Sequence, residues 1–282
     1  MRTVADPPQL RRLIAEARRS GLRIGFVPTM GSLHEGHLSL MRHSRGQCGF
    51  TVAGIFVNPI QFGPGEDFER YPRTMERDSK MLDAEEVDLL FAPESSSIYP
   101  SGFATHVEVA GPATGLCAPF RPGHFRGVAT IVAKLFNIVR PDAAYFGQKD
   151  AQQAAVIRRM TADLDFDVQI VVCPTVREHD GLAMSSRNAY LSAEERLVAP
   201  VLYAALNDAR RAIRLGERSA FKVTEIVRQR LVEAAFKIEY IEVVGGPDLQ
   251  PRDPLSGEIL LAVGARLGAT RLIDNIVIEI PR

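Results

Sequence analysis

Residues 27–41 read VPTMGSLHEGHLSLM. An apolar run, Leu22-Arg23-Ile24-Gly25-Phe26-Val27, meets Pro28 at the start of this stretch, and Leu38, Leu40 and Met41 close it at helical spacing. The predicted order is therefore strand, turn, helix. His34 and His37 are three apart and share one face of the first helical turn. Gly31, Ser32 and Gly36 are small enough to let an anion approach the backbone there. At a helix N-terminus the amides and the macrodipole, worth roughly half a unit charge, favour phosphate. An isolated pair of histidines at this spacing is more often structural. Zinc is the other competitor, but the H-E-x-x-H spacing of zinc peptidases is absent and no third ligand stands out. The strand–turn–helix setting favours phosphate.

Working outward, strand-like runs at 22–27, 51–57, 87–91, 143–146 and 168–172 alternate with helical patterns at 8–19 and near 36–46, 73–84, 124–139 and 151–163. Apolar strands alternating with amphipathic helices predict an α/β fold, a doubly wound parallel sheet with helices on both faces. Such sheets bind ligands at the carboxyl ends of their strands, near a topological switch point. The pattern changes after residue 175. Helical stretches at 193–215 and 219–236 precede strand-like runs at 238–244, 259–265 and 272–280, which predicts a smaller α+β C-terminal domain. The expected division is 1–175 and 176–282, in keeping with roughly 150 residues per domain.

Lys plus Arg (34) balances Asp plus Glu (34), so no global field draws nucleic acid or an acidic membrane. No apolar run approaches the roughly 18 residues of a membrane span. The polar, helical N-terminal stretch does not read as a signal peptide. Cys48, Cys117 and Cys173 lie far apart, without disulfide or zinc spacing. A reduced, cytoplasmic protein is expected.

Two further stretches carry chemistry. YFGQKDAQQ (145–153) places Lys149 and Asp150 at the end of a predicted strand, where a lysine suits phosphate and a carboxylate can orient it or accept a ribose hydroxyl. GLAMSSRNAYLS (181–192) sets two hydroxyls beside Arg187 on a glycine-led loop that could clamp a triphosphate. Taken singly, the first is as readily a solvated turn, and the second is more often a plain loop. A Walker A sequence is absent.

Together these stretches resemble the nucleotidyltransferase superfamily with its H-x-G-H signature, here His34-Glu35-Gly36-His37, with Met184-Ser185-Ser186-Arg187 in place of the lysine-serine mobile loop. Within it, FVPTMGSLHEGH, IFVNPIQFGPGEDFERYPRT, GHFRGVATIVAKLFNIVRPDAAYFGQKD and PTVREHDGLAMSSRNAYL are similar to the pantothenate synthetase family over most of residues 24–192. The resemblance implies a Rossmann-like first domain that binds ATP and pantoate, and a second domain carrying the mobile phosphate loop. It implies condensation of pantoate with β-alanine, with ATP and Mg²⁺, through a pantoyl adenylate and with release of AMP and pyrophosphate. A homodimer acting on small molecules is expected, with no nucleic-acid or membrane partner.

By the same resemblance Met30, Gly31, Ser32, Leu33, His34, Glu35, Gly36 and His37 line the ATP site. Gly147, Gln148, Lys149 and Asp150 hold ribose and phosphates, and Val176 meets the adenine through its backbone. Met184, Ser185, Ser186 and Arg187 close over the phosphates. His37, His34, Lys149 and Arg187 are the candidate catalytic residues, and Gln61 and Gln153 the candidate pantoate ligands. Asp78 stands where some members present a metal-associated carboxylate and is the candidate Mg²⁺ ligand. Arg77 precedes it where an acidic pair is familiar, so metal held by ATP phosphates and water is the alternative. Gln148 and Ala151 depart from a common glutamate and a usual aromatic. Arg121, His124 and Arg126 form a local basic cluster, either an ATP attractor or a helix cap. An adenylyltransferase that keeps AMP on its product and a catalytically inert ATP-binding module are the competing functions.

Overall fold

The computed structural model describes residues 1–246 and 248–281. They form two compact units, one of residues 1–109, 121–147 and 156–174, the other drawn from 110–120, 148–155 and the described residues after 174. In chain order the first eleven elements are β1 (Arg2–Val4), α1 (Pro7–Arg19), β2 (Ile24–Thr29), α2 (Glu35–Gln47), β3 (Phe50–Ile55), α3 (Met75–Ala84), β4 (Leu89–Phe91), α4 (Ser95–Ile98), α5 (His124–Val139), β5 (Ala143–Gly147) and α6 (Ala151–Asp163). There follow β6 (Gln169–Cys173), α7 (Ala193–Val198), α8 (Val201–Arg214), α9 (Ala220–Glu233), β7 (Lys237–Gly245), β8 (Gly257–Leu267) and β9 (Thr270–Ile280).

The first unit holds a six-stranded sheet in the order β1-β4-β3-β2-β5-β6, and every pairing is parallel. Its inner strands β2, β3, β4 and β5 are largely buried and apolar because helices cover both faces. Phe26 and Val27 point to opposite faces, and both are fully buried. On one face Val27, Ala53, Leu90 and Tyr145 pack with Leu40 and Met41 of α2 and Leu82 of α3. On the other, α1 and α5 pack on each other and on β2. This is the predicted α/β fold. The short edge strand β1 was not foreseen, because Arg2-Thr3-Val4 is too brief to show a period.

Pro28 sits inside β2 without an amide hydrogen to give the ladder. Its register partner is Gly54, and the Thr29 hydroxyl donates to the Gly54 carbonyl at 2.8 Å. The next strand in sequence, β3, lies on one side of β2, while β5 lies on the other. The switch point is therefore between β2 and β5, and the chain leaves the sheet there at Met30 and at Gly147.

The second unit holds an antiparallel meander, β7-β8-β9. The β8–β9 turn is tight, with Gly268 at φ +56° next to the Leu267↔Thr270 pair. Leu202, Leu206 and Ile213 of α8 and Val223, Val227 and Leu231 of α9 form a core with Ile259, Leu261 and Val263 of β8. The sequence predicts one helix over 193–215, but the structure has two. Pro200 cannot donate to a residue one turn back and its ring crowds that carbonyl, so α7 stops and α8 restarts after it. Ser192 and Glu195 begin α7 with a reciprocal capping box.

Within the first unit, α5 closes on the turn at Pro59–Gln61 through Gly127. A β-carbon there would lie 2.4 Å from the Ile60 carbonyl oxygen and 2.6 Å from the Gln61 α-carbon. These are backbone atoms that cannot swing aside. Gly127→Ala should therefore cost about 1–3 kcal/mol, as overpacking does. Urea denaturation of the two proteins measures it, and an unchanged midpoint would mean that the helix moves away at no cost.

Candidate active site

The turn after β2 is built from two successive left-handed residues, Gly31 at φ +79° and Ser32 at φ +50°. Such a reversal aims consecutive amides one way, which makes a concavity for anions. Asp78, only 1% exposed on α3, holds it. Its Oδ2 accepts from the Ser32 amide at 2.7 Å, and its Oδ1 accepts from the Leu33 amide at 3.0 Å and from the Thr74 hydroxyl at 3.1 Å. A β-carbon on Gly31 would meet Asp78 Oδ2 and an Ile55 methyl, each at 3.1 Å. A pocket of ≈ 370 Å³ opens beside this turn, walled by Met30, Gly31, Ile55, Phe56 and Phe68 with Asp78 among its lining.

α2 begins at His34, whose Nδ1 accepts from the Gly36 amide at 3.1 Å. That bond assigns Nδ1 as the bare nitrogen, so Nε2 carries the hydrogen and is the donor. The His34 carbonyl accepts from the His37 amide at 2.8 Å, and the two rings lie 4.1 Å apart between centroids. Both candidate histidines therefore stand together at the first turn of a thirteen-residue helix.

Gln61 is buried at the end of its turn. Its Oε1 accepts from Asn58 Nδ2 at 2.9 Å, and its Nε2 donates to the Met30 sulfur at 2.9 Å. Asn58 is itself held, donating to the Gly127 carbonyl and accepting from the Tyr99 hydroxyl. The network fixes the Gln61 amide so that its donor end faces Met30. His124 supports the same turn from α5: its Nδ1 donates to the Gln61 carbonyl at 2.8 Å, while Nε2 accepts from Arg121. Arg121 also grips Glu66 with two hydrogen bonds, at 2.8 and 2.7 Å. Burial pushes the Glu66 carboxyl up, but Arg121 outweighs it and holds it below the ordinary range. Two members of the basic cluster, Arg121 and His124, are thus engaged with Glu66 and the Gln61 turn.

In the second unit the chain leaves β5 in a short 3₁₀ turn, Gln148–Asp150. Asn275 of β9 donates to the carbonyls of Gln148 at 3.0 Å and Lys149 at 2.9 Å, and its Oδ1 accepts from Gln148 Nε2 at 3.1 Å. Lys149 Nζ lies 3.9 Å from Asp150 Oδ2. Residues 176–184 double back, with Arg177 bridged to Ala183 and the Met184 amide donating to the Val176 carbonyl at 3.0 Å. Two candidates eight positions apart, Val176 and Met184, are thereby neighbours. Beyond them the Ser185 hydroxyl accepts from the Arg187 amide and opens the turn Ser186–Tyr190. Gln153 is half-buried on α6. Its neighbour Gln152 is the one committed to structure, donating to the carbonyls of Pro112, Thr114 and Gly115 and accepting from the Cys117 amide.

The sequence reading missed Asn58, Gln152, Asp274 and Asn275. Asn58 had a signal in its Asn-Pro turn. So did Asp274 and Asn275, adjacent polar residues inside the otherwise apolar LIDNIVIEI.

A family model described as pantoate-beta-alanine ligase matches residues 2–277. The chain belongs to the pantoate-beta-alanine ligase family. It is 53% identical over 281 residues to a pantothenate synthetase of Heliobacterium modesticaldum, covering 99% of this chain and 100% of that one. A crystal structure of pantothenate synthetase from Thermus thermophilus superposes with a TM-score of 0.90 at 48% identity, over 98% and 99% of the two chains. Pantoate-beta-alanine ligase from Francisella tularensis, complexed with beta-gamma ATP and beta-alanine, superposes with a TM-score of 0.77 at 32% identity, over 98% and 97%. Family membership makes the chain an enzyme of the ligase class.

Asp78→Asn sets an NH₂ donor against one of the backbone amides that Asp78 now accepts. An unsatisfied buried donor costs about 1–3 kcal/mol, so stability should fall by that amount. Thermal and chemical denaturation measure it, and an unshifted transition would mean that the turn stands without Asp78.

Proposed function

We propose that this ligase condenses pantoate with β-alanine at the expense of ATP, through a pantoyl adenylate. A carboxylate oxygen of pantoate attacks the α-phosphorus of ATP, the bond to the bridging oxygen breaks, and pyrophosphate leaves with that oxygen. The β-alanine amine then attacks the acyl carbon of the mixed anhydride, AMP departs, and the amide loses a proton. A carboxylate is already ionised near neutral pH and needs no general base. The protein's tasks are to position two anions and to meet the charge that grows on the phosphates.

The observation that carries this reading is the turn from Met30 to His37, held by Asp78 and ending in two adjacent histidines at a helix N-terminus. His34, donating from Nε2, and His37 are assigned to the phosphates, with Gly31, Ser32, Leu33, Glu35 and Gly36 shaping the turn around them. Gly147, Gln148, Lys149 and Asp150 are assigned to ribose and phosphates, with Lys149 countering charge. Val176 is assigned to adenine, and Met184, Ser185, Ser186 and Arg187 to the phosphates. Gln61 and Gln153 are assigned to pantoate, where neutral amides donate without quenching the nucleophile. Met30 beside Gln61 supports this, since pantoate carries two methyl groups that need an apolar wall.

Both oxygens of Asp78 already accept hydrogen bonds in a buried site, which favours magnesium held by ATP over direct ligation by this carboxylate. The described residues offer no group of three His, Cys, Asp or Glu side chains able to hold a metal ion. Magnesium is therefore assigned to the phosphates and water of ATP, where it supplies charge neutralisation. A homodimer in the cytoplasm belongs to the same reading. Among the described residues no helix is long and apolar enough to cross a membrane.

Exchange of labelled pyrophosphate into ATP should require pantoate and proceed without β-alanine, because activation precedes amine attack. Exchange that depended on β-alanine alone would reverse that order. Calorimetry tests the acid site: Gln61→Ala and Gln153→Ala should weaken pantoate several-fold, at roughly 0.5–1.5 kcal/mol per neutral hydrogen bond, with ATP affinity near normal. Pantoate affinity unchanged in both variants would put the acid elsewhere.

A further inference from the structure

β9 carries two adjacent buried polar residues, Asp274 at 2% exposure and Asn275 at 5%, in a strand that gives Leu272, Ile276, Ile278 and Ile280 to a core. Neighbouring residues of a strand face opposite ways, and these two serve different segments. Asp274 takes Arg177 through two hydrogen bonds, at 2.6 and 2.9 Å, and Arg177 also donates to the Gly181 carbonyl. The Arg177 guanidinium lies 3.5 Å over the Tyr203 ring. Burial pushes the Asp274 carboxyl above its ordinary range, against the pull of Arg177.

Asn275 takes the turn that bears Lys149. Its amide uses both donors on two consecutive carbonyls, Gln148 and Lys149, and its oxygen accepts from the Gln148 side chain. All three of these hydrogen bonds are made with one turn. Only glutamine carries the same groups, and it is one methylene longer. Aspartate would set a negative oxygen against two carbonyls, and an aliphatic residue would leave both unserved. Pinning the carbonyls on either side of the Lys149–Asp150 and Gln148–Lys149 peptide planes fixes the direction in which the Lys149 α–β bond leaves the backbone. The Lys149 side chain, 20% exposed, then starts from a set origin.

We propose that Asn275 is a positioning residue for the reaction, acting through Lys149 to aim its ammonium at the phosphates. This rests on the assignment of Lys149 made above. The effect should appear in the step where phosphate charge builds, not in the binding of the acid.

The test is pantoate-dependent ATP–pyrophosphate exchange in the full-length wild type, N275A, K149A and the N275A/K149A double variant, with pantoate affinity measured by calorimetry. Small misplacements of a reacting group cost up to about a hundredfold. N275A should therefore lose on the order of tenfold in exchange while pantoate affinity stays within about twofold. In the K149A background the same change should cost less than about twofold, because the group it aims is gone. Equal losses in both backgrounds, or a loss confined to pantoate affinity, would overturn the proposal. So would normal exchange in N275A alongside a depressed K149A. Wild-type exchange in K149A would instead overturn the Lys149 assignment itself. If circular dichroism shows N275A unfolded, N275S, which is neutral and keeps one donor, carries the same comparison. Loss of folding in both would give Asn275 a purely architectural role.

Discussion

The buried carboxylate of Asp78 receives the amides of Ser32 and Leu33, and the site in the first unit depends on that arrangement. Two left-handed residues in succession are a costly way to leave a strand, and one of them, Ser32, is not glycine. The conformation persists because its amides find a charged acceptor, and hydrogen bonds to charged groups are the stronger kind. From that reversal the chain enters α2 with His34 at the cap and His37 one turn on. The same reversal lets the Gly31 backbone approach Asp78 and Ile55 so closely that a β-carbon there would be crowded.

The same logic recurs around the other candidate residues. Gln61 lies in a turn whose carbonyl is served by His124, whose side chain is oriented by Asn58, and whose backbone is approached by Gly127. Lys149 lies in a turn whose carbonyls are served by Asn275. Val176 and Met184 are joined by a backbone hydrogen bond, and Arg177 between them is anchored on Asp274. In each case a residue proposed to meet substrate is short of regular secondary structure, and a buried polar side chain from another element makes good the missing partners. Such groups are expensive to bury unless fully hydrogen-bonded. Their presence in cores that are otherwise apolar marks where the fold supports irregular backbone.

The periodic elements were legible in sequence because their signals are local. Continuous apolar runs gave the parallel strands and spacing gave the helices. The first helical turn with His34 and His37 followed from a strand, small residues and an amphipathic run in order. Misses came where a single residue overrode a period, as Pro200 did in the predicted helix over 193–215, or where an element was too short to have one, as with β1. Asp78 could be singled out by its motif, yet the two backbone amides it accepts from are 46 and 45 residues away along the chain.

By itself the sequence determined the fold class, the position of the histidine turn, and the motifs that mark a pantoate-beta-alanine ligase. Those depend on residue type and short spacing, which a linear text records in full. Only the tertiary structure decided that segments 110–120 and 148–155 cluster with the described residues after 174, and that a β9 asparagine holds the Lys149 turn from 126 positions away. It also decided that His34 donates from Nε2, since the Gly36 amide occupies Nδ1. The physical reason is the same in each case. A buried polar group is defined by the partner that satisfies it, and that partner is chosen by folding, not by neighbourhood in the chain.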